Sequence, residues 1–249
     1  MKIRESLQPL KQVWSDRVKG SWWKSIVIII SYLLLRIKFE TMALNKGIEL
    51  SGDQVVLTDL QDPMKVMYYM GQSGWYYHLS TFALLAFLFL MLYLFKFKIF
   101  DLKQIKVPLL GWTVLTFIAF FALGMVFSVA VSYFAPDYQA PMNQQAVEAL
   151  VKEMSGLGVF LNIVIMTPIT EEILLRGLVM KYLFPLMPVV GALVSAVVFA
   201  MLHMPANIID FFLYFILSAG LTYVYWRTRK IEYPILYHMI QNFLGFLQF

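Results

Sequence analysis

Residues 157–183 read LGVFLNIVIMTPITEEILLRGLVMKYL, an apolar stretch that nevertheless holds Glu171, Glu172 and Arg176 near its middle. An α-helix needs about 20 apolar residues to cross a hydrocarbon core of about 30 Å. Each ionised group at that depth costs about 2.5–3.5 kcal/mol on insertion scales, so three within a turn and a half call for an explanation. Spacing divides their work. Glu172 and Arg176 stand four apart on one helix face, with the glutamate on the favoured amino-terminal side, and neutralise each other. Glu171 projects about 100° away and lacks that local partner. A carboxylate desolvated there is suited to take and return a proton near neutral pH. The plainer alternative is a buried ion-pair network that joins helices.

The rest of the chain supplies the setting for that helix. Of 249 residues, 60% are hydrophobic and 14% charged, and mean hydropathy is +0.71. A soluble domain could not hide that much apolar surface. The expected fold is all-α, a polytopic transmembrane bundle forming a single membrane domain over 1–249. Its seven spans fall at roughly 22–44, 75–95, 109–134, 157–183, 188–204, 208–226 and 233–249. With no cysteine present, disulfides, thiolate metal sites and a cysteine nucleophile are excluded.

A net charge of +5 raises the question of nucleic acid, but in a membrane protein Lys and Arg placement reads first as topology. Lys2, Arg4, Lys11, Arg17, Lys19 and Lys24 precede the first span. Lys96, Lys98, Lys103 and Lys106, then Lys181, then Arg227, Arg229 and Lys230 lie at the same predicted side, against Lys46, Lys65 and Lys152 at the other. This asymmetry places the amino terminus in the cytoplasm, and no nucleic-acid partner is expected.

Residues 1–21 mix basic residues with Leu7, Leu10, Val13, Trp14 and Val18, which predicts an interfacial amphipathic segment. No small-residue cleavage site follows, so the start reads as uncleaved. In the first span, Arg36 and Glu40 pair at i,i+4 and snorkel towards the interface. The segment 45–74 lies outside and folds over the bundle. His78 follows Trp75, Tyr76 and Tyr77 at a span edge and reads as part of an aromatic belt.

Two of the three histidines, His203 and His238, sit inside later apolar spans. Phe199 and His203 share one face of the fifth span, and His238 and Asn242 share one face of the seventh. Singly, each is more often a hydrogen-bonded packing residue. Depth links them. At 1.5 Å per residue, Glu171 lies roughly 18 Å, His203 roughly 22 Å and Asn242 roughly 15 Å from the inner surface. The short connection Phe184-Pro185-Leu186-Met187-Pro188 makes the fourth and fifth spans antiparallel neighbours, which permits one shared site.

Glu171-Glu172 followed by Arg176, Phe199 followed by His203, and His238 followed by Asn242 resemble the three motifs of the CPBP family of intramembrane CAAX proteases and bacteriocin-processing or immunity proteins. The resemblance covers about 170–242, within the motif-bearing helices 157–249. It implies a peptide or membrane-protein substrate cut in the bilayer, with Glu171 activating water and His203 positioning it. His238 and Asn242 would orient water or stabilise the oxyanion, and Glu172 and Arg176 would support the site.

Zinc stays open as a cofactor. Two imidazoles and a carboxylate can ligate it, and the same groups can also act without it through acid–base and electrostatic catalysis. The rival functions are a non-catalytic immunity or signalling scaffold and a proton-coupled transporter, although the repeated halves of many transporters are missing. A multi-pass protein of a bacterial plasma membrane is expected, and neither substrate identity nor oligomeric state can be read from the sequence.

Overall fold

The computed structural model describes residues 21–56, 58–102, 105–154 and 156–247. The expected interfacial segment 1–21 therefore lies, apart from Ser21, outside the described residues. Those residues form an all-helical bundle: α1 (Trp22–Ser51), α2 (Pro63–Gln72), α3 (Trp75–Leu94), α4 (Val107–Phe134), α5 (Met142–Lys152), α6 (Gly156–Leu183), α7 (Pro188–Leu202), α8 (Ile208–Thr228) and α9 (Glu232–Phe246). A helix stands at each of the seven expected apolar segments. Four of them, α3, α4, α6 and α8, are long and apolar enough to cross a membrane, and α7 is a shorter apolar helix.

Helix boundaries follow local chemistry. Pro63, Pro108 and Pro188 stand in the first turns of α2, α4 and α7, where a missing N–H costs nothing and the fixed φ suits the helix. The side chains of Asp62 and Asn207 accept from the first free N–H groups of α2 and α8. α1 runs seven residues beyond the expected Leu44 because no proline intervenes before Gly52, whose φ of 72° supplies the left-handed stop. Its Arg36 and Glu40 pair at 2.7 Å, as their spacing predicts.

The segment after α1 contains a helix of its own. α2 packs against both α1 and α5, so two short amphipathic helices brace the end of α1. The approach of α1 and α2 depends on Gly47, where a Cβ would lie 1.6 Å from the Tyr69 carbonyl oxygen. Gly47→Ala is expected to destabilise the protein by roughly 1–3 kcal/mol, the usual cost of overpacking. The control is Gly124→Ala, where a Cβ meets nothing within 4 Å. Equal thermal unfolding of the two variants would show that this contact is not tight.

The bundle is inverted relative to a soluble protein. α4 turns Leu115, Ile118, Val126 and Val129 outward, whereas Glu172, Arg176, Ser195, Ser218 and His238 are buried among the helices. Apolar surface outside and polar groups inside is what a hydrocarbon solvent favours. α6 is central to this arrangement, touching α1, α3, α7 and α9. The polar site is built on it.

Candidate active site

α6 is not a uniform α-helix. Phe160–Met166 and Ile173–Leu183 are wound as π-helix, flanking an α-helical turn, Thr167–Glu172, that carries both glutamates. Widened turns of this kind occur frequently at functional sites. Inside the first wide turn the Thr167 N–H reaches back five residues to the Asn162 carbonyl. The next residue, Pro168, has no N–H to offer Ile163 in the same register. The Asn242 side-chain amide fills that gap, donating to the Ile163 carbonyl oxygen at 2.8 Å.

Asn242 is thus tied to the backbone of α6. An amide has two N–H donors, so one remains for another acceptor. Asn242→Ala is expected to cost about 1–3 kcal/mol by orphaning a buried carbonyl. In a Pro168→Ala background, where the backbone regains an N–H, the same substitution should cost less. Strictly additive unfolding energies would separate Asn242 from the proline gap.

Arg176 and Glu172 form the buried pair expected from spacing, Nη1 to Oε1 at 2.9 Å, and both side chains are 0% exposed. The other terminal nitrogen of Arg176 donates to Ser218 Oγ at 2.8 Å, the Ser218 carbonyl at 3.1 Å and Thr222 Oγ1 at 3.2 Å, all on α8. The guanidinium also lies 5.2 Å from the centre of the Phe199 ring. One cation therefore locks α6 to α7 and α8, through hydrogen bonds that help offset its desolvation.

The sequence did not reveal that Glu172 has a second partner. Its Oε1 also lies 3.0 Å from His238 Nδ1 on α9. A carboxylate paired with Arg176 serves as acceptor, so Nδ1 carries the proton and the second ring nitrogen is left for other chemistry. That nitrogen, Nε2, lies 3.9 Å from Glu171 Oε2, too far for a direct hydrogen bond. Arg176, Glu172, His238 and Glu171 thus form one polar series across α6 and α9. Glu171 is the least enclosed of the carboxylate pair, with its side chain 24% exposed. Its Oε2 has no hydrogen-bond partner among the described residues.

His203 closes the other side. It caps the end of α7, and its Nδ1 donates to the Phe199 carbonyl at 2.8 Å, leaving Nε2 as an acceptor. Its ring stacks on Tyr214 of α8 at 4.3 Å between centroids and lies within electrostatic reach of Glu171 and His238. Phe199, 1% exposed, contacts both imidazoles, at 4.5 Å from His203 and 5.5 Å from His238.

Tyr214, which packs on the His203 ring, is a contact that sequence reasoning missed. It stands among the aromatics of α8 without any distinguishing spacing. Its hydroxyl accepts from Asn143 of α5 at 3.3 Å. The turn leading from His203 into α8 is held by Asp210, which accepts from the Ala206 N–H at 3.0 Å and from the Tyr138 hydroxyl at 2.5 Å. Burial and the Asp210 carboxylate push the Tyr138 hydroxyl well above its ordinary pKa, so it stays a donor.

His78 departs from its expected place in an aromatic belt. It is buried, and its Nδ1 meets the Asn162 amide nitrogen on α6. Gly158, one turn before Asn162, opens the space: a Cβ there would lie 2.0 Å from His78 Nε2. A partner and a vacancy on the neighbouring helix draw the ring inward, which an edge position in sequence cannot disclose.

The donor set fits zinc poorly. Among the described residues no group of three His, Asp or Glu side chains is disposed to hold a metal ion. Glu172 and His238 Nδ1 satisfy each other and His203 Nδ1 is engaged with backbone, which leaves the two Nε2 atoms and Glu171 open.

Residues 153–244, which contain Glu171, Glu172, Arg176, His203, His238 and Asn242, match the family model described as type II CAAX prenyl endopeptidase, Rce1-like. Comparison with curated proteins and with solved structures gives no significant match.

Proposed function

We propose that this chain, which carries an Rce1-like CAAX endopeptidase domain of the CPBP family at residues 153–244, hydrolyses a peptide bond of a membrane-associated substrate with a glutamate-activated water. The observation that carries this reading is the series Arg176, Glu172, His238, Glu171, with the His203 ring on the facing helix. Glu171 is the general base: its carboxylate takes a proton from water as the oxygen attacks the substrate carbonyl. The same carboxylate then returns the proton to the leaving amine, as microscopic reversibility requires.

The two imidazoles play separate parts. His203 Nε2 holds the attacking water from the side opposite α9. The second N–H of Asn242 faces the developing oxyanion, and His238, its Nδ1–H held on Glu172, orients the water through Nε2. Glu172 and Arg176 support this by fixing the orientation of His238. The mechanism needs no zinc, because a glutamate base with His and Asn groups around it supplies acid–base and electrostatic catalysis by itself.

The proposed substrate is a prenylated protein or peptide with a CAAX-type end, a class that family membership supports. The proposed topology is seven crossings with the amino terminus in the cytoplasm, supported by the distribution of basic residues, in a bacterial plasma membrane. The purified chain should cleave a farnesylated peptide near its carboxyl terminus. Exhaustive chelation should leave the rate within about twofold, whereas an enzyme built on catalytic zinc would lose activity and regain it on adding the metal. Absence of cleavage by a folded protein would defeat the hydrolase reading, and chelator-sensitive cleavage would defeat the metal-free mechanism alone.

A further inference from the structure

A cavity lies away from the glutamates, where α1 begins, α3 and α6 end, and α8 passes into α9. It measures about 750 Å³. Six cations line it: Lys24, Lys96, Lys98, Lys181, Arg229 and Lys230. Only Asp101 and Glu232 oppose them among its lining residues. We propose that this cavity binds the phosphate of an anionic phospholipid headgroup.

Three observations support that assignment. The cations come from four separate places in the chain, so folding concentrates positive charge that no single sequence run contains. The wall is preorganised. The connection after α3 is pinned at Lys98 by the Tyr182 hydroxyl, which lies 3.1 Å from the Lys98 N–H and 3.0 Å from its carbonyl. Lys181 Nζ donates to the same carbonyl at 2.5 Å. Farther along, the Asp101 N–H donates to Glu232, and Lys230 lies 3.4 Å from the Asp101 carboxylate. Burial pushes the Arg229 guanidinium down to about 10, showing that the site is partly desolvated and that a bound anion would favour its charged form.

The position selects the source of the phosphate. The cavity lies at the ends of membrane-length helices, at headgroup level, and Phe95, Phe97, Ile99 and Phe100 line it beside the lysines. Charge at the opening with apolar side chains beneath it suits a lipid better than a free ion. Basic pockets between transmembrane helices recognise anionic headgroups in this way.

The test is a titration of the purified full chain in neutral detergent, followed by native mass spectrometry. The probes are phosphatidylglycerol, phosphatidylcholine and inorganic phosphate as a competitor. The wild type should bind phosphatidylglycerol at least about tenfold more tightly than phosphatidylcholine, and millimolar phosphate should not displace it. The double variant Lys24→Gln/Lys96→Gln should weaken phosphatidylglycerol about 30-fold, the effect of two basic groups at about 1 kcal/mol each. Lys46→Gln/Lys65→Gln, altered outside this cavity, should bind as the wild type does. Unchanged binding in the first pair, with helicity retained, would overturn the site. Equal binding of the two lipids would do so too, and displacement by inorganic phosphate would identify a free anion in place of a lipid. None of these residues belongs to the glutamate cluster, so the result is independent of proteolysis.

Discussion

Glu171→Gln is expected to leave a folded protein whose cleavage rate falls by at least about 100-fold, the scale of general-base catalysis. The substitution keeps the size and shape of the side chain and removes only its ability to take a proton. Little structural cost should accompany it, because the carboxylate lies 3.9 Å from His238 Nε2, beyond hydrogen-bond reach, and is more open than Glu172. The measurement pairs hydrolysis of a farnesylated peptide with thermal unfolding of the same preparation. Cleavage within a few-fold of wild type would remove Glu171 from the role of base, whatever the fate of the other residues.

Glu172→Gln should behave differently, losing stability as well as activity. Its carboxylate is fully buried and holds both Arg176 and His238, so neutralising it leaves a guanidinium enclosed without its counter-charge. Breaking a buried pair from one side costs about 3–5 kcal/mol. For a chain of this size that corresponds to a fall in Tm of roughly 10 °C. Glutamine can also donate to His238 Nδ1, which would invert the tautomer on which the site depends. Replacing both partners, Glu172→Leu with Arg176→Met, should recover part of the lost stability and none of the activity, because no buried charge then remains. Equal melting temperatures for Glu171→Gln and Glu172→Gln would refute this division of labour.

Much of this architecture follows from the order of residues alone. Apolar runs of bilayer length require helices, because only internal hydrogen bonding satisfies a backbone in hydrocarbon. The 3.6-residue period then dictates that Glu172 meets Arg176, that Glu171 points elsewhere, and that Arg36 meets Glu40. These are contacts within one helix, where spacing alone determines geometry.

Contacts between helices were decided by the tertiary structure. The rotation and depth of each helix settle whether His238 meets Glu172, 66 residues away, or only Glu171. The same degrees of freedom draw His78 into the space left by Gly158 and bring Asn242 to the carbonyl that Pro168 cannot serve. They also gather six cations from four chain segments around one cavity. Periodicity specifies the face on which a residue stands. Which other face it meets depends on packing of small residues, on wide turns and on the satisfaction of buried polar groups, and these are properties of the assembled bundle.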